Sequence, residues 1–372
     1  MKVAFCIRPE YRNPLGGDAI QMLKTKEYLE KKYDILIDIL TSPDEISEKY
    51  DIVHVFNFST YKISRLFIDK AVKLGISVVS SPIYWDYSYA STSKLFNIVP
   101  FLNSINKLSI NIFKKTVQLI GIFLARPVGV SLRFKKNAIW MYKNSTILAP
   151  NSIEEAKLLL KWINIDTLEK IRVVYNATEK AENQLELDSD IFHKKYNIPK
   201  DYILQVGRIE FCKNQINLVS ALMNHPEIPI VFVGNIFDFS FYKKLKKLAI
   251  KRGNVYFIDA VPHDEISSFY RYAKIHVLLS LRESPGLVNI EALSYNCPIV
   301  ISDERFLPVE TYFSNQPYVI NPLNTEEIRN VILDAYLQRK ISAFDFNMFS
   351  WNTVAEQTYD IYKEVLHTSL SD

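Results

Sequence analysis

Residues 275–302, IHVLLSLRESPGLVNIEALSYNCPIVIS, contain the pattern on which the fold depends. An apolar run, IHVLLS, leads into a Pro-Gly turn, a helix is predicted from about Leu287, and a second apolar run, CPIVIS, follows. Short β-branched runs separated by helices are typical of a parallel sheet that is covered on both faces. This stretch therefore predicts an α/β fold.

The same alternation extends in both directions through the 372 residues of the chain. In the first half the predicted strands are KVAFCIR (2–8), ILIDIL (35–40), DIVHVF (51–56), ISVVSS (76–81), STILAP (145–150) and IRVVYN (171–176). Helices are predicted there at about Asp18–Lys31 and Ser64–Leu74, and Ser152 and Glu155 form a capping-box pattern before another helix. In the second half the further strands are YILQVG (202–207), IPIVFVG (228–234), NVYFIDA (254–260) and PYVI (317–320).

The two series of strands indicate two Rossmann-like domains. Residues 177–200 are polar and acidic, which is typical of a linker between them. We predict an N-terminal domain over residues 1–180, joined by a C-terminal helix of about 350–372, and a C-terminal domain over 181–349. In open α/β sheets, ligands bind beyond the C-terminal ends of the strands. Function is therefore expected in the loops that face a central cleft between the two domains.

Composition excludes several classes of protein. Hydrophobic residues make up 48% of the chain, and Phe and Tyr number 22 each, which excludes a disordered chain. Three widely spaced cysteines without a CxxC pair suit a reducing cytoplasm, and the histidines show no metal-ligand spacing. No segment reaches the roughly 18 uninterrupted apolar residues of a membrane span. We therefore expect a soluble globular protein with no metal site.

The first candidate loop is GRIEFCKN, residues 207–214, between a predicted strand and a helix at Gln215–Met223. Arg208 and Lys213 stand five apart at the mouth of that helix. Two cations beside a helix N-terminus form a site for a dianion such as a diphosphate. The alternative is that both are solvated surface charges.

The second candidate loop follows the strand IHVLLS. The backbone N–H groups of Gly286, Leu287 and Val288 lie at a predicted helix N-terminus and can hold phosphate oxygens. Glu283 and Glu291 flank these groups and can accept hydrogen bonds from hydroxyls, from ribose on one side and a hexose on the other. Alternatively, Glu291 is a helix-dipole partner and Glu283 a surface acid.

These residues carry a resemblance to a known family. Glu283 and Glu291 are separated by seven residues, with Gly286-Leu287 between them and Pro298 after them. They resemble the E-x7-E signature of retaining GT-B glycosyltransferases of family 4, also called group 1. Four further segments resemble this family in the expected order: RNPLGGDAIQMLKTKEYLEKKYDI (12–35), IRVVYNATE (171–179), VGRIEFCKN (206–214) and FSWNTVAEQTYDIYKEVL (349–366). The resemblance therefore covers most of the chain.

The resemblance implies a nucleotide-diphosphate sugar as donor, with no other cofactor and no metal. Arg208 and Lys213 would neutralise the leaving diphosphate in place of a metal ion. Glu291 would hold the ribose hydroxyls and Glu283 the hydroxyls of the transferred sugar. Gly17, in the Gly16-Gly17 loop, would approach the diphosphate closely because it lacks a Cβ.

The chain departs from the family pattern at several positions. Many relatives carry glycine where this chain has Ala177, Asn214 and Asn296; asparagine tolerates a positive φ, so Asn296 can end its helix in the same way. Relatives often place a histidine after the fourth strand, where this chain reads SSPIYWDYS (80–88).

Acceptor-side residues are proposed from position alone. Trp85 and Asp86 are the candidates for acceptor contact after the fourth strand. His54 is predicted to end a strand facing the cleft, where it either hydrogen-bonds a substrate or is a structural histidine.

Charge is distributed unevenly along a chain whose formal net charge is +4. Residues 87–153 contain no Asp or Glu but nine basic residues: Lys94, Lys107, Lys114, Lys115, Arg126, Arg133, Lys135, Lys136 and Lys143. A basic amphipathic stretch at about 94–143 predicts contact with an anionic membrane surface. The alternative is that its apolar face packs on the sheet and its lysines are solvated. Nucleic acid is a weaker alternative to the membrane as the anionic partner, because no recognised binding motif is present.

Together these patterns predict a retaining, metal-independent hexosyltransferase. It would act in the cytoplasm, peripherally associated with the inner face of the membrane, and build a cell-surface polysaccharide such as lipopolysaccharide or capsule on a glycan acceptor that is lipid-linked. Two alternatives share the fold. One is a catalytically silent protein that binds sugar nucleotides in a regulatory or scaffold role, and the other is a nucleotide-sugar epimerase.

Overall fold

The computed structural model describes residues 1–12, 16–86, 132–179 and 188–369. The chain divides into two compact units, one of Met1–Ala177 with Asn347–Asp372 and one of Thr178–Phe346. The division after Ala177 lies three residues before the boundary predicted at 180. Each unit contains one parallel sheet with helices, which is the predicted α/β class.

Unit 1 is built on a five-stranded parallel sheet with the order β2-β1-β3-β4-β5. Its strands are β1 (Lys2–Cys6), β2 (Leu36–Leu40), β3 (Ile52–Phe56), β4 (Ser77–Ser81) and β5 (Ile147–Leu148). Its helices are α1 (Gly17–Lys32), α2 (Tyr61–Lys73), α3 (Leu132–Asn144), α4 (Ile153–Ile163) and the C-terminal helix (Trp351–Ser369).

Both faces of this sheet are buried, as the apolar strands predict. Along β1, Ala4 and Cys6 join a core cluster with residues of α2, α3 and α4. Val3 and Phe5 point to the opposite face and join a cluster with residues of α1 and the C-terminal helix. Alternate side chains of one strand thus supply two cores, since successive residues of a strand point to opposite faces.

Two strands predicted in unit 1 are shorter than expected. STILAP contributes only the two residues of β5, because Pro150 has no N–H with which to extend the ladder. IRVVYN forms no strand; Ile171 makes a single parallel bridge to Leu148. Farther along, the Tyr175 N–H donates to the Gln357 side chain at 3.0 Å instead of to a strand. Only the end of the segment leaves the sheet for this contact, because the Val174 N–H still donates to the Pro150 carbonyl oxygen at 2.9 Å.

Unit 2 is built on a six-stranded parallel sheet with the order β11-β10-β9-β6-β7-β8. Its strands are β6 (Ile203–Val206), β7 (Ile230–Val233), β8 (Val255–Ile258), β9 (Ile275–Leu278), β10 (Ile299–Ser302) and β11 (Val319–Ile320). Its helices are α5 (Ser189–Tyr196), α6 (Gln215–Ala221), α7 (Phe239–Arg252), α8 (His263–Tyr272), α9 (Leu287–Ser294), α10 (Val309–Phe313) and α11 (Thr325–Gln338). The helix predicted from Leu287 begins at that residue.

The linker predicted over 177–200 is wrong in part, because α5 lies within it. Asp188 caps this helix, since its side chain accepts from the N–H groups of Asp190 and Ile191. Phe192 is fully buried, and its ring packs on that of Phe269 with centroids 4.9 Å apart. One buried aromatic side chain anchors a helix whose composition is otherwise polar.

Asparagine stands at two of the turns where this chain departs from the family pattern and many relatives have glycine. Asn296, after α9, has φ 54°, and Asn214, before α6, has φ 57°. Both residues adopt the left-handed conformation that glycine allows, which confirms the prediction for Asn296.

Within the described ranges, no helix is long and apolar enough to cross a membrane.

Candidate active site

The two candidate loops of unit 2 follow adjacent strands, β6 and β9, in the middle of the sheet. The chain continues from β6 to β7 on one side, while β9 pairs with β6 on the other. Strand order reverses at such a position, and ligands of open α/β sheets bind there. The Leu281 N–H donates to the Cys212 carbonyl oxygen at 2.8 Å, which ties the two loops together.

Lys213 and Glu283, predicted separately from the two loops, form an ion pair between Nζ and Oε1. Their side chains are 16% and 12% exposed. Ser280 Oγ lies 2.7 Å from the same Glu283 oxygen and donates to it. Because both bonds end on Oε1, Oε2 can accept a hydrogen bond from a sugar hydroxyl. The Glu283 side chain is thus oriented before any ligand binds.

Arg208 lies on the turn after β6 but outside the Lys213–Glu283 pair. Its NH2 group is 3.1 Å from Glu210 Oε1, and the side chain is 45% exposed. The guanidinium carbon lies 4.6 Å from the centroid of the Phe237 ring, within cation–π range. The arginine is therefore held in place by neighbours on its own turn and on the turn after β7.

Two glycines of these turns are required by geometry. Gly286 has φ 83°, and a Cβ there would lie 3.4 Å from Glu283 Cγ. Gly234, at the end of β7, has φ 141°, and a Cβ there would lie 2.4 Å from the Gly207 carbonyl oxygen. The turns after β6 and β7 therefore pack backbone against backbone, immediately before Arg208.

Helix α9 begins directly after Gly286, and no side chain caps it. The first N–H groups of a helix have no intrahelical acceptor, so those of Leu287 and Val288 suit an anion. Glu291 is the fifth residue of α9, beyond the turn in which a helix dipole acts most strongly. The Tyr270 hydroxyl donates to Glu291 Oε2 at 2.9 Å, which orients this second carboxylate.

The predicted site residues of unit 1 are placed differently from expectation. Gly17 is the first residue of α1, and a Cβ added to it would meet no atom of the described residues within 4 Å. Gly16 is the crowded position, because a Cβ there would lie 2.7 Å from Asp18 Oδ1. It is therefore the missing Cβ of Gly16, and not that of Gly17, that leaves room for the Asp18 carboxylate.

His54 is not at the end of its strand and does not face solvent. It lies within β3, is 2% exposed, and its ring nitrogens contact Tyr362 OH at 2.6 Å and Ser81 Oγ at 2.9 Å. Burial lowers the pKa of His54 to about 3, so the ring is neutral. Of the two interpretations that the sequence left open, the structure favours the structural histidine.

Trp85 and Asp86 end the described stretch that follows β4. Trp85 is 2% exposed, so its indole is part of the interior and not of an acceptor surface. Asp86 is exposed. Nearby, the buried Glu155 carboxylate accepts from the N–H groups of Tyr84 at 2.8 Å and Asn151 at 2.9 Å. The predicted capping box is thus half formed, because Glu155 fixes the loop after β4 instead of capping Ser152.

Sequence reasoning missed a polar cluster at the C-terminal ends of β1 and β3. Arg8 makes two hydrogen bonds to the Asp18 carboxylate at 3.1 and 3.2 Å, and Asn57 Nδ2 donates to it at 3.0 Å. Burial raises the pKa of Asp18, but the hydrogen bonds from Arg8 and Asn57 outweigh this and lower it. The Asp18–Arg8 pairing has no short-range sequence signal, since the two residues lie ten positions apart.

Also missed were the partners of the predicted residues, namely Ser280, Tyr270, Glu210 and Phe237. No local pattern marks Tyr270 or Phe237, because each meets its partner only in the folded sheet. In the parts of the chain that the structure describes, no three His, Cys, Asp or Glu residues are grouped so as to hold a metal ion.

Comparison with known proteins identifies the family that unit 2 resembles. Residues 188–343 match the family model described as glycosyl transferases group 1, a range that includes both loops of unit 2. The match confirms the predicted resemblance to group 1 glycosyltransferases for unit 2.

Individual relatives also carry the names of glycosyltransferases. The phosphatidylinositol N-acetylglucosaminyltransferase GPI3 subunit of Saccharomyces cerevisiae strain YJM789 is 21% identical over 343 residues, which cover 80% of this chain and 73% of that protein. O-antigen chain mannosyltransferase B of Escherichia coli is 25% identical over 237 residues, or 57% of this chain and 62% of that protein.

Among solved structures, Anabaena HepE in complex with UDP and glucose has a TM-score of 0.72 and 13% sequence identity. The match covers 98% of this chain and 100% of that chain. At this identity the likeness shows the fold, which is the GT-B fold that the sequence predicts.

Proposed function

We propose that the protein is a retaining, metal-independent glycosyltransferase. It transfers a sugar from a nucleotide-diphosphate sugar to a glycan acceptor, which is lipid-linked, in cell-surface polysaccharide biosynthesis. The observation that carries this proposal is the Lys213–Glu283 pair beside the uncapped start of α9, with Arg208 on the adjoining turn. The names of the relatives support it: one acts on phosphatidylinositol, two others are O-antigen mannosyltransferases, and HepE was solved with UDP.

The proposed chemistry follows from charge. The bond between the anomeric carbon and the diphosphate oxygen breaks, and negative charge grows on the leaving diphosphate. Lys213, Arg208 and the N-terminus of α9 stabilise this charge without a metal ion. The acceptor hydroxyl attacks from the face that the diphosphate leaves, and a phosphate oxygen takes its proton. No carboxylate is then needed as a base, so Glu283 is available to bind the hydroxyls of the transferred sugar.

Donor recognition is divided between the two carboxylates. Glu283 accepts from the transferred sugar through Oε2, while Glu291, oriented by Tyr270, accepts from the ribose hydroxyls. Seven residues separate them, and the uncapped start of α9 lies between them. This order places the phosphates of a bound donor between its two sugars, as they are in the molecule.

The proposal is tested by incubating the protein with UDP-, GDP- and ADP-sugars, with and without a lipid-linked glycan acceptor and with EDTA. We expect release of nucleoside diphosphate that depends on acceptor and is unchanged by the chelator. Loss of turnover with EDTA contradicts the metal-independent mechanism. Donor conversion without acceptor indicates the epimerase, and donor binding without any turnover indicates the silent relative.

We also propose that the basic stretch at about 94–143 brings the protein to an anionic membrane. Residues 94–131 lie outside the described residues, so the evidence comes from α3. There Phe134, Ala138 and Met141 are buried in the core, while Arg133, Lys136 and Lys143 are exposed. The apolar face of α3 thus packs in the core of unit 1, as in the alternative interpretation. Its exposed cations are available to bind lipid head groups.

Co-sedimentation with liposomes tests this second proposal. We expect recovery of the protein with vesicles that contain anionic phospholipid and little recovery with neutral vesicles, an effect that weakens at high salt. Equal recovery with both kinds of vesicle contradicts it.

A further inference from the structure

A buried polar pair lies directly beneath the candidate donor site. His276 is on β9 and Asn289 is in the first turn of α9, and both are 0% exposed. The two strands and the helix that carry the donor loops thus meet at these side chains. Neither residue has a role in the chemistry described above.

The hydrogen bonds of His276 determine which ring nitrogen carries the proton. The Val206 backbone N–H donates to Nε2 at 3.3 Å, so Nε2 is unprotonated. Burial first, and then the nearby Lys213 cation, lower the pKa of His276 to about 3. A neutral ring whose Nε2 accepts a hydrogen bond carries its proton on Nδ1. Nδ1 therefore needs an acceptor.

Asn289 is the group that can supply this acceptor. Among the described residues, neither His276 Nδ1 nor either polar atom of the Asn289 side chain has a hydrogen-bond partner. The Asn289 side chain nevertheless acts on His276 as a hydrogen-bond partner and raises its pKa, so it lies close to the ring although the bond is not fully formed. Buried polar groups are almost always paired, so unpaired atoms on two neighbouring side chains indicate a contact that a small movement completes.

The amide of Asn289 also contacts the turn that would hold the phosphates. Its Nδ2 lies 3.2 Å from the position that a Cβ on Gly286 would occupy. Its backbone N–H donates to the Gly286 carbonyl oxygen at 2.9 Å. If the side-chain Oδ1 accepts from His276, Nδ2 must point toward this turn.

We infer that His276 is a positioning residue for the donor site. Its Nδ1–H donates to Asn289 Oδ1 when the Gly286 turn closes on a diphosphate, which orients the Asn289 amide and fixes the first turn of α9. This inference rests on the proposed function. Because the hydrogen bond is completed only in the ligand-bound turn, it adds to donor affinity and not only to stability.

The test replaces each partner and then both. His276→Phe removes the acceptor of the Val206 N–H and should unfold at lower temperature than the wild type. Asn289→Leu removes two polar atoms that have no partner among the described residues, so it should keep its thermal stability. The double variant also lacks the acceptor of the Val206 N–H and should unfold near the temperature of His276→Phe. If the pair positions the donor site, the double variant still binds nucleoside diphosphate about tenfold more weakly, with KM raised and kcat nearly unchanged.

Binding is measured by calorimetry with UDP, GDP and ADP, and with pyrophosphate as a probe that does not depend on the base. A double variant with wild-type dissociation constants overturns the inference. His54→Phe is the matched control, because it removes a buried neutral histidine from unit 1; it should lower thermal stability without changing these constants. If the wild type binds none of the four probes, the proposed function fails. If the wild type binds them and the double variant binds them equally well, the inference alone fails.

A measurement on the wild-type protein keeps the inference testable even if the variants do not fold. Nitrogen-15 NMR of labelled histidine should show His276 as the neutral Nδ1–H form, with a Nδ1 resonance that shifts on saturation with nucleoside diphosphate. An unchanged Nδ1 resonance overturns the inference.

Discussion

Lys213→Ala is expected to lower the rate of sugar transfer on the order of 10²-fold or more. The lysine is the cation closest to Glu283, in a pair whose side chains are largely buried. In such a poorly solvated place a charge stabilises the leaving diphosphate more strongly than at the surface. The substitution should therefore act on kcat as well as on donor binding, as initial rates with saturating donor will show.

Lys195→Ala provides the matched control for this experiment. Lys195 also forms an ion pair in unit 2, with Glu265, but its side chain is 45% exposed. Exposed pairs contribute little, so transfer rate and thermal stability should remain close to those of the wild type. Wild-type turnover in the Lys213 variant refutes the role given to Lys213. An equal loss in both variants indicates a general effect of removing a cation from unit 2.

Gly234→Ala is expected to destabilise unit 2 by about 2–6 kcal/mol. Part of this cost is backbone strain, because φ is 141° at this residue. The rest is steric, because the new Cβ would lie 2.4 Å from the Gly207 carbonyl oxygen. Relief of that overlap must shift the turn that carries Arg208, so donor affinity should fall as well. Urea unfolding and nucleotide binding measure the two effects.

Gly253→Ala separates strain from overlap. Gly253 also has a positive φ, 77°, but a Cβ there would meet no described atom within 4 Å. Its substitution should cost only the strain, about 1–3 kcal/mol, and leave donor affinity unchanged. If both variants lose the same stability and neither loses affinity, the contact between the turns at Gly207 and Gly234 has no influence on the donor site.

The order of strands and helices was predictable because it depends on local patterns. Apolar runs such as IHVLLS and the Pro-Gly turn before Leu287 report the conformation of their own residues, and α9 begins where predicted. The predictions failed where local composition and tertiary contact disagree. The acidic stretch before Ser189 conceals a helix held by Phe192, and IRVVYN is strand-like in composition but forms only one bridge.

The site was predictable only in part, for the same reason. The sequence placed Lys213 and Glu283 each on a candidate phosphate-binding loop, and the structure brings them together although they lie 70 positions apart. The partners Phe237 and Tyr270, and the role of His54 beside Tyr362, could not be predicted. Such contacts join residues that lie far apart in the chain, and no local pattern encodes them.

The sequence alone thus determined the α/β class, the positions of the two candidate loops and the resemblance to group 1 glycosyltransferases. These depend on side-chain periodicity, turn residues and short motifs, which act over a few neighbouring residues. Only the tertiary structure decided which cation pairs with Glu283, that His54 is buried and bonded, and that His276 faces Asn289. Those outcomes depend on how strands and helices pack, because burial and hydrogen-bond partners are properties of the assembled core.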